Sequence, residues 1–311
     1  MFGSHLSIAG GMHKALLEAE RLAMDTVQVF TKNQQQWRVP DLAPATVDAW
    51  TAELDRLGWR ARTVAHASYL INLASPDDEL WARSVDLMRI EIERCEALAI
   101  PYLVHHPGAC TTSTPEAGLR RIARAYRQLF RETRGYQTVS CLENTVGAGS
   151  NHGSAFEELA DLRARICDAT GAPDRIGFCF DTCHAHAAGY DMATRPGAEA
   201  VLDRWDATCG MANLRVLHMN DSKTPAGSRR DRHAHIGEGT IGGPSRRPTR
   251  ARLGASGFAA VVNRPELRNL PKILETPKER TPAGTPKDLI NLSRLRRLLE
   301  PRQADKLAAR K

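Results

Sequence analysis

The sequence predicts a single (β/α)8 barrel, and three observations carry that prediction. Strand-like and helix-like segments alternate along almost the whole 311-residue chain, most of them roughly 30 to 40 residues apart. Eight strand-like segments can be read, and alternation of this kind implies parallel strands joined by helical crossovers. Six consecutive strands then end in a potential ligand: His66, His106, Glu143, Asp181, His218 and Glu275. Packing supplies no reason for such a series, whereas barrels of this class place their chemistry at the C-terminal ends of the strands.

The first strand lies in residues 3–8 (GSHLSI), and after Ala9-Gly10-Gly11 the apolar positions Leu16, Leu17, Ala19 and Leu22 mark a helix. Thr26 to Phe30 is β-branched and alternating, and it runs into a polar loop from Thr31 to Trp37. Pro44 to Leu57 reads as a helix with Val47, Trp50, Leu54 and Leu57 on one face. Further strands are expected at Arg62–His66, Pro101–His106, Thr138–Glu143, Ile176–Asp181, Leu214–His218 and Leu270–Glu275. Helices are expected at Glu79–Ala97, Glu116–Thr133, Phe156–Thr170, near Ala198–Trp205, and at Leu289–Leu299. The gap before the last strand is irregular: residues 242–256 hold four arginines and two prolines, and they read as a flexible, solvent-exposed loop. One domain over residues 1–300 with a basic, frayed tail at 301–311 is therefore expected.

Composition is that of a soluble globular protein, with 42% hydrophobic and 25% charged residues. The formal net charge of +7 favours an anionic partner, although a basic excess of this size also occurs in proteins with none. Seven cysteines, an odd number without a Cys-x-x-Cys pair, point to reduced thiols in a cytoplasmic protein. No secretory signal or membrane-length apolar run is present, and a barrel that buries its own core is expected to be a monomer.

Two short motifs add ligands to the strand ends. Asp181-x-x-His184 places two on one strand-to-loop turn, and Asp231-x-His233 does so one strand later. The candidate set is then His66, His106, Glu143, Asp181, His184, His218, Asp231, His233 and Glu275. A single histidine near a strand end is more often a hydrogen-bonded core or surface residue, so the weight rests on the agreement of the series. Nine ligands exceed one tetrahedral site and suit two or three ions bridged by carboxylate. Four carboxylates against three zinc ions would leave a charge of about +2, a site of the sign that invites phosphate. His105 competes with His106 for the strand end, and the Pro107-Gly108 stop favours His106.

The residues at these points also resemble a known family. Phe30-Thr31-Lys32-Asn33-Gln34, His66-Ala67-Ser68-Tyr69-Leu70-Ile71-Asn72-Leu73, His106-Pro107-Gly108, Leu142-Glu143-Asn144-Thr145, Asp181-Thr182-Cys183-His184, His218-Met219-Asn220-Asp221, Asp231-Arg232-His233 and Leu274-Glu275-Thr276 resemble endonuclease IV, the zinc-dependent apurinic/apyrimidinic endonuclease of base excision repair. The resemblance spans almost the whole chain. It implies three zinc ions: one held by His66, His106 and Glu143, a second by Glu143, Asp181, His218 and Glu275, and a third by His184, Asp231 and His233. It also implies hydrolysis of the phosphodiester 5′ to an abasic site in double-stranded DNA, leaving a 3′-hydroxyl and a 5′-deoxyribose phosphate, and trimming of blocked 3′ ends. A zinc-bridging hydroxide would be the nucleophile, positioned by Glu143 as the catalytic carboxylate. Tyr69 and Leu70 match side chains that the family pushes into the duplex, and Gln35 stands where some members carry an inserting arginine. Lys223, Arg229, Arg230 and Arg232 are candidate phosphate contacts, although a solvated basic loop would look the same. The alternative reading is a metal-dependent sugar isomerase or epimerase of the same barrel type, against which the five histidines and the basic charge count.

Overall fold

In the computed structural model, which describes residues 1–243 and 248–300, the strands are short and the helices long. The strands are β1 (Phe2–His5), β2 (Thr26–Val29), β3 (Val64–His66), β4 (Tyr102–His105), β5 (Val139–Glu143), β6 (Ile176–Asp181), β7 (Leu214–His218), the two-residue pair β8 (Asp221–Ser222) and β9 (His233–Ala234), and β10 (Lys272–Leu274). All but β8 and β9 close into a parallel barrel in the order β1-β2-β3-β4-β5-β6-β7-β10, with β10 returning to β1. Closure leaves the barrel with no unpaired edge. β8 and β9 form a separate antiparallel hairpin that pairs Asp221 with Ala234 and Ser222 with His233.

The helices are α1 (His13–Arg21), α2 (Pro44–Leu57), α3 (Asp78–Ala97), α4 (Pro115–Glu132), α5 (Phe156–Thr170), α6 (Thr182–Ala188), α7 (Arg195–Cys209), α8 (Arg250–Gly254), α9 (Gly257–Asn263) and α10 (Lys287–Arg296). Several starts are set by a side chain that accepts an otherwise orphaned backbone N–H. Asp77 caps α3 through Leu80 N, Thr114 caps α4 through Ala117 N, and Thr194 caps α7 through Gly197 N. α2 and α5 have the expected bounds, and the other long helices differ by a few residues at their ends.

Residues 242–256 correct the sequence reading in part. Arg250–Gly254 is a short helix capped by Thr249, and α9 begins at Gly257, so the stretch is not loop throughout. Threonine before a run of arginine, alanine and leucine is a helix start, a signal that the two prolines upstream obscured. Pro244 to Arg247 of that stretch, and the basic tail at 301–311, lie outside the described residues.

Two apolar layers organise the molecule. A large core fills the space between barrel and helices, including Trp50 of α2, Tyr126 of α4, Phe156 of α5 and Trp205 of α7. A second, smaller cluster consists of Val64, Val104, Cys141, Cys179, Val216 and Ile273, one residue from each of six barrel strands. It fills the barrel interior. Each member stands two positions before a strand-end ligand: Val64 before His66, Val104 before His106, Cys141 before Glu143, Cys179 before Asp181, Val216 before His218 and Ile273 before Glu275. Side chains alternate across a strand with period two, so the residues that plug the barrel also fix which side chains open upward into its mouth.

Candidate metal centre

All nine predicted ligands meet at the C-terminal mouth of the barrel. His66 Nε2 and His106 Nε2 each stand 3.3 Å from Glu143 Oε2. The other oxygen of Glu143 is 2.9 Å from His218 Nδ1, and that same nitrogen is 3.2 Å from Glu275 Oε2. His184 Nε2 and His233 Nε2 lie 3.3 and 3.1 Å from the two oxygens of Asp231. Ligand atoms within 4.8 Å of one another fall into groups: His66 with His106 and Glu143; Glu143 with Asp181, His218 and Glu275; Glu143 with Cys179 and His218; Asp181 with His184 and His233; and Asp231 with His233 and Cys183. Glu143 belongs to three of these groups.

Local folding explains how these residues arrive. Asp181 is the last residue of β6 and the cap of α6, with Oδ1 accepting from His184 N at 2.8 Å. One carboxylate thereby starts the helix that carries His184 and still presents Oδ2 to the mouth. The β8–β9 hairpin returns Asp231 and His233 to the same side. Its base is held by the buried Asp221 carboxylate, which accepts backbone N–H groups from Gly237, Ile241 and Gly242 at 2.8, 2.9 and 3.1 Å.

The imidazoles are oriented by bonds on their outer sides. His66 Nδ1 pairs with Ala67 O at 2.7 Å, His184 Nδ1 with Asn144 O at 2.9 Å, and His233 Nδ1 with Glu275 O at 3.2 Å. Each carbonyl takes the N–H of that ring nitrogen, so the other nitrogen is the one that can bind an ion once its own proton has left. His218 is inverted, with Nε2 outward, 2.8 Å from Gln28 Oε1.

Imidazole nitrogens facing carboxylate oxygens at these distances need a proton or a metal ion between them. Burial alone would raise the Glu143 pKa, but His218, His106 and His184 outweigh it and hold the carboxyl well below its usual range. Burial would lower His218, yet Glu275 and Glu143 overcome it and push its pKa up to about 9. His233 likewise resists burial through Asp231 and Asp181 and is pushed up to about 9. Its Nε2 is buried without a hydrogen-bond partner although Asp231 is close. Ligand atoms about 2.0 to 2.1 Å from a tetrahedral zinc are separated by about 3.3 Å, and the ion pairs here span 2.9 to 3.9 Å around that value. The donor set therefore fits zinc.

Three cavities of about 260, 450 and 680 Å³ surround the cluster. Tyr69 stands between the first and third, 60% exposed, with its ring 5.1 Å from His66, 5.8 Å from Phe30 and 5.9 Å from His106. Leu70 is half-buried beside it, and Gln35 is exposed on the β2–α2 loop, its N–H held by Asn33 Oδ1. Arg229, Arg230 and Arg232 line the second cavity with His106, His184 and Asp231. That loop is docked on the end of α6, where Gly227 N and Arg229 N donate to His186 O and Ala187 O. Lys223 is exposed on the hairpin and lines none of the three cavities.

Sequence reading passed over the polar residues that hold the ligands. Asn220 Nδ2 donates to Asp181 Oδ2 at 2.6 Å, while its Oδ1 accepts from Glu275 N at 2.7 Å. Asn144 Oδ1 accepts from Asp181 N at 2.7 Å, and Gln28 bonds both His218 and Glu275. The signal was present: Asn144 and Asn220 sit one and two residues beyond a ligand-bearing strand end, and Gln28 is a polar residue inside an apolar strand.

Fold and site together define a xylose isomerase-like TIM barrel, and the model of that family matches residues 16–292. The chain is 41% identical over 299 residues to a probable endonuclease 4 of Chloroflexus aurantiacus, covering 96% of this chain and 98% of that one. It is 40% identical over 296 residues to a probable endonuclease 4 of Trichlorobacter lovleyi, covering 95% and 98%. The crystal structure of endonuclease IV from Thermus thermophilus superposes with a TM-score of 0.79 at 37% identity, covering 96% and 98%. The chain belongs to the endonuclease IV family. It is accordingly a nuclease of the hydrolase class. A D-tagatose 3-epimerase-like structure, at 17% identity and a TM-score of 0.66, shares the fold alone.

Proposed function

We propose that the protein is a DNA repair endonuclease that hydrolyses the phosphodiester 5′ to an abasic site in double-stranded DNA, leaving 3′-hydroxyl and 5′-deoxyribose phosphate ends. The same site would trim blocking groups from 3′ ends. The observation that carries this reading is Glu143, buried and shared between two ligand groups, one with His66 and His106 and the other with Asp181, His218 and Glu275. His184, Asp231 and His233 would hold a third ion. Three zinc ions bound by these residues would act as Lewis acids on phosphate oxygens and lower the pKa of water at the site.

The protein's own residues prepare that chemistry. Glu143, surrounded by His66, His106, His184 and His218, stays ionised and acts as the positioning carboxylate. Outward hydrogen bonds hold one ring proton on the outer nitrogen of each of these histidines, so the inner nitrogen is the one that gives up its proton to an ion. Tyr69 and Leu70, with Gln35 beside them, would occupy the gap at the missing base, where unstacking costs least. Arg229, Arg230, Arg232 and Lys223 would meet phosphates.

A duplex bearing one tetrahydrofuran abasic analogue, incubated without added magnesium, tests the reading. The analogue cannot undergo β-elimination. A single nick on its 5′ side, with an end that polymerase extends, is the expected result. An intact duplex after incubation with zinc-loaded protein would overturn the proposal.

A further inference from the structure

We propose that Gln28, in the middle of β2, is a positioning residue: its one carboxamide orients His218 and Glu275 together so that both face a single divalent ion. This deepens the metal-dependent reading above and rests on it.

Six of the eight barrel strands supply a candidate ligand, while β1 and β2 supply none. Their inward residues near the mouth are instead His5 and Gln28, partners in the β1–β2 register. In the β2–β3 register Gln28 is level with Val64, two residues before His66. Its side chain is fully buried and reaches past β1 to β10 and β7. Oε1 is 2.8 Å from His218 Nε2, and Nε2 is 2.6 Å from Glu275 Oε1 and 3.0 Å from His5 Nδ1.

The chemistry of the three groups leaves one arrangement. His218 turns Nδ1 toward Glu143 and Glu275, so once that nitrogen is given to an ion the remaining ring proton is on Nε2, where only an acceptor fits. Glu275 turns Oε2 toward His218 and leaves Oε1 facing Gln28, where only a donor fits. A carboxamide offers an acceptor at one end and a donor at the other. A carboxylate would serve His218 and repel Glu275, and an ammonium would do the reverse. The amide nitrogen also lies 3.0 Å from His5 Nδ1, and its N–H to the Glu275 carboxylate fixes which end of the amide faces which partner. Groups that orient metal-ligating histidines in this way are worth roughly ten- to hundredfold in metal affinity.

The test compares wild-type protein with Gln28→Met, which keeps the length and removes both polar ends. Each is loaded with zinc, and release of the ions to a chelating indicator is followed. The expected result is one ion leaving about ten- to hundredfold faster from the variant, with the remaining ions released as in wild type. A role in packing alone would not single out one ion. If the variant does not fold, the tautomer of His218 in zinc-loaded wild-type protein decides, read from two-bond proton–nitrogen correlations of the ring. A protonated Nε2 supports the proposal, and a protonated Nδ1 overturns it. Wild-type release rates for every ion in Gln28→Met would overturn the role of Gln28 and leave the proposed function standing. Failure of wild-type protein to take up zinc would overturn both.

Discussion

His105 and His106, neighbours in the chain, face opposite sides of the barrel wall. His106 Nε2 is 3.3 Å from Glu143 Oε2 in the mouth, while His105 Nε2 is 2.5 Å from the Tyr126 hydroxyl against α4. Val104 belongs to the cluster that plugs the barrel, so alternation sends His105 outward and the next residue in.

The two histidines should fail differently. His106→Ala is expected to keep the fold and lower abasic-site cleavage by on the order of a thousandfold, because a candidate ligand beside Glu143 is lost. His105→Ala is expected to retain bound metal and cleavage but to lose about 2 kcal/mol of stability, since it removes a buried partner of Tyr126. Cleavage assays and urea unfolding on both variants make the comparison. Full cleavage by His106→Ala would remove the centre of the metal assignment.

Metal uptake should expel protons. His218 and His233, each pushed up to about 9, hold a proton at pH 7 in metal-free protein, and ligation requires both neutral. His184 is also raised well above its usual range, so calorimetric titration with zinc in buffers of different ionisation enthalpy should show proton release from all three rings at pH 7, diminishing as pH climbs past about 9. The sign for stability follows. A folded pKa raised above the unfolded value of about 6.5 stabilises the metal-free protein below that pH, and the contribution disappears as pH climbs through about 9. Metal-free protein should therefore melt lower at pH 9 than at pH 7. Equal melting temperatures would refute the pairing.

The arginines beside the second cavity set a salt dependence. Replacing Arg229, Arg230 and Arg232 by serine should reduce the slope of log affinity against log salt for duplex DNA by about 0.9 per arginine that meets a phosphate. Removing residues 244–252 tests the neighbouring basic stretch in the same assay. An unchanged slope in either variant would mark those arginines as solvated surface.

Tyr69 offers its ring to solvent while resting on His66, His106 and Phe30. Tyr69→Ala should weaken binding of abasic duplex by about 1 to 3 kcal/mol, the worth of a stacked aromatic, with little change in melting temperature. Binding measured by fluorescence anisotropy should show less loss on an undamaged duplex. An equal loss on both would argue against a role at the lesion.

Much of this protein is legible in its sequence because strands and helices alternate along most of the chain and strand side chains alternate by two. Eight β/α repeats implied the barrel, and the ligands at six strand ends implied a site at its mouth. The barrel plug was equally readable, since Val64, Val104, Cys141, Cys179, Val216 and Ile273 each precede a ligand by two positions. Only the tertiary structure decided which ring nitrogen each histidine turns inward, because that depends on backbone carbonyls and amides brought in from distant strands. Gln28, 190 positions before its partner His218, is the plainest case. Periodicity is local and survives in one dimension, whereas a hydrogen bond across a closed barrel exists only once closure has set the register.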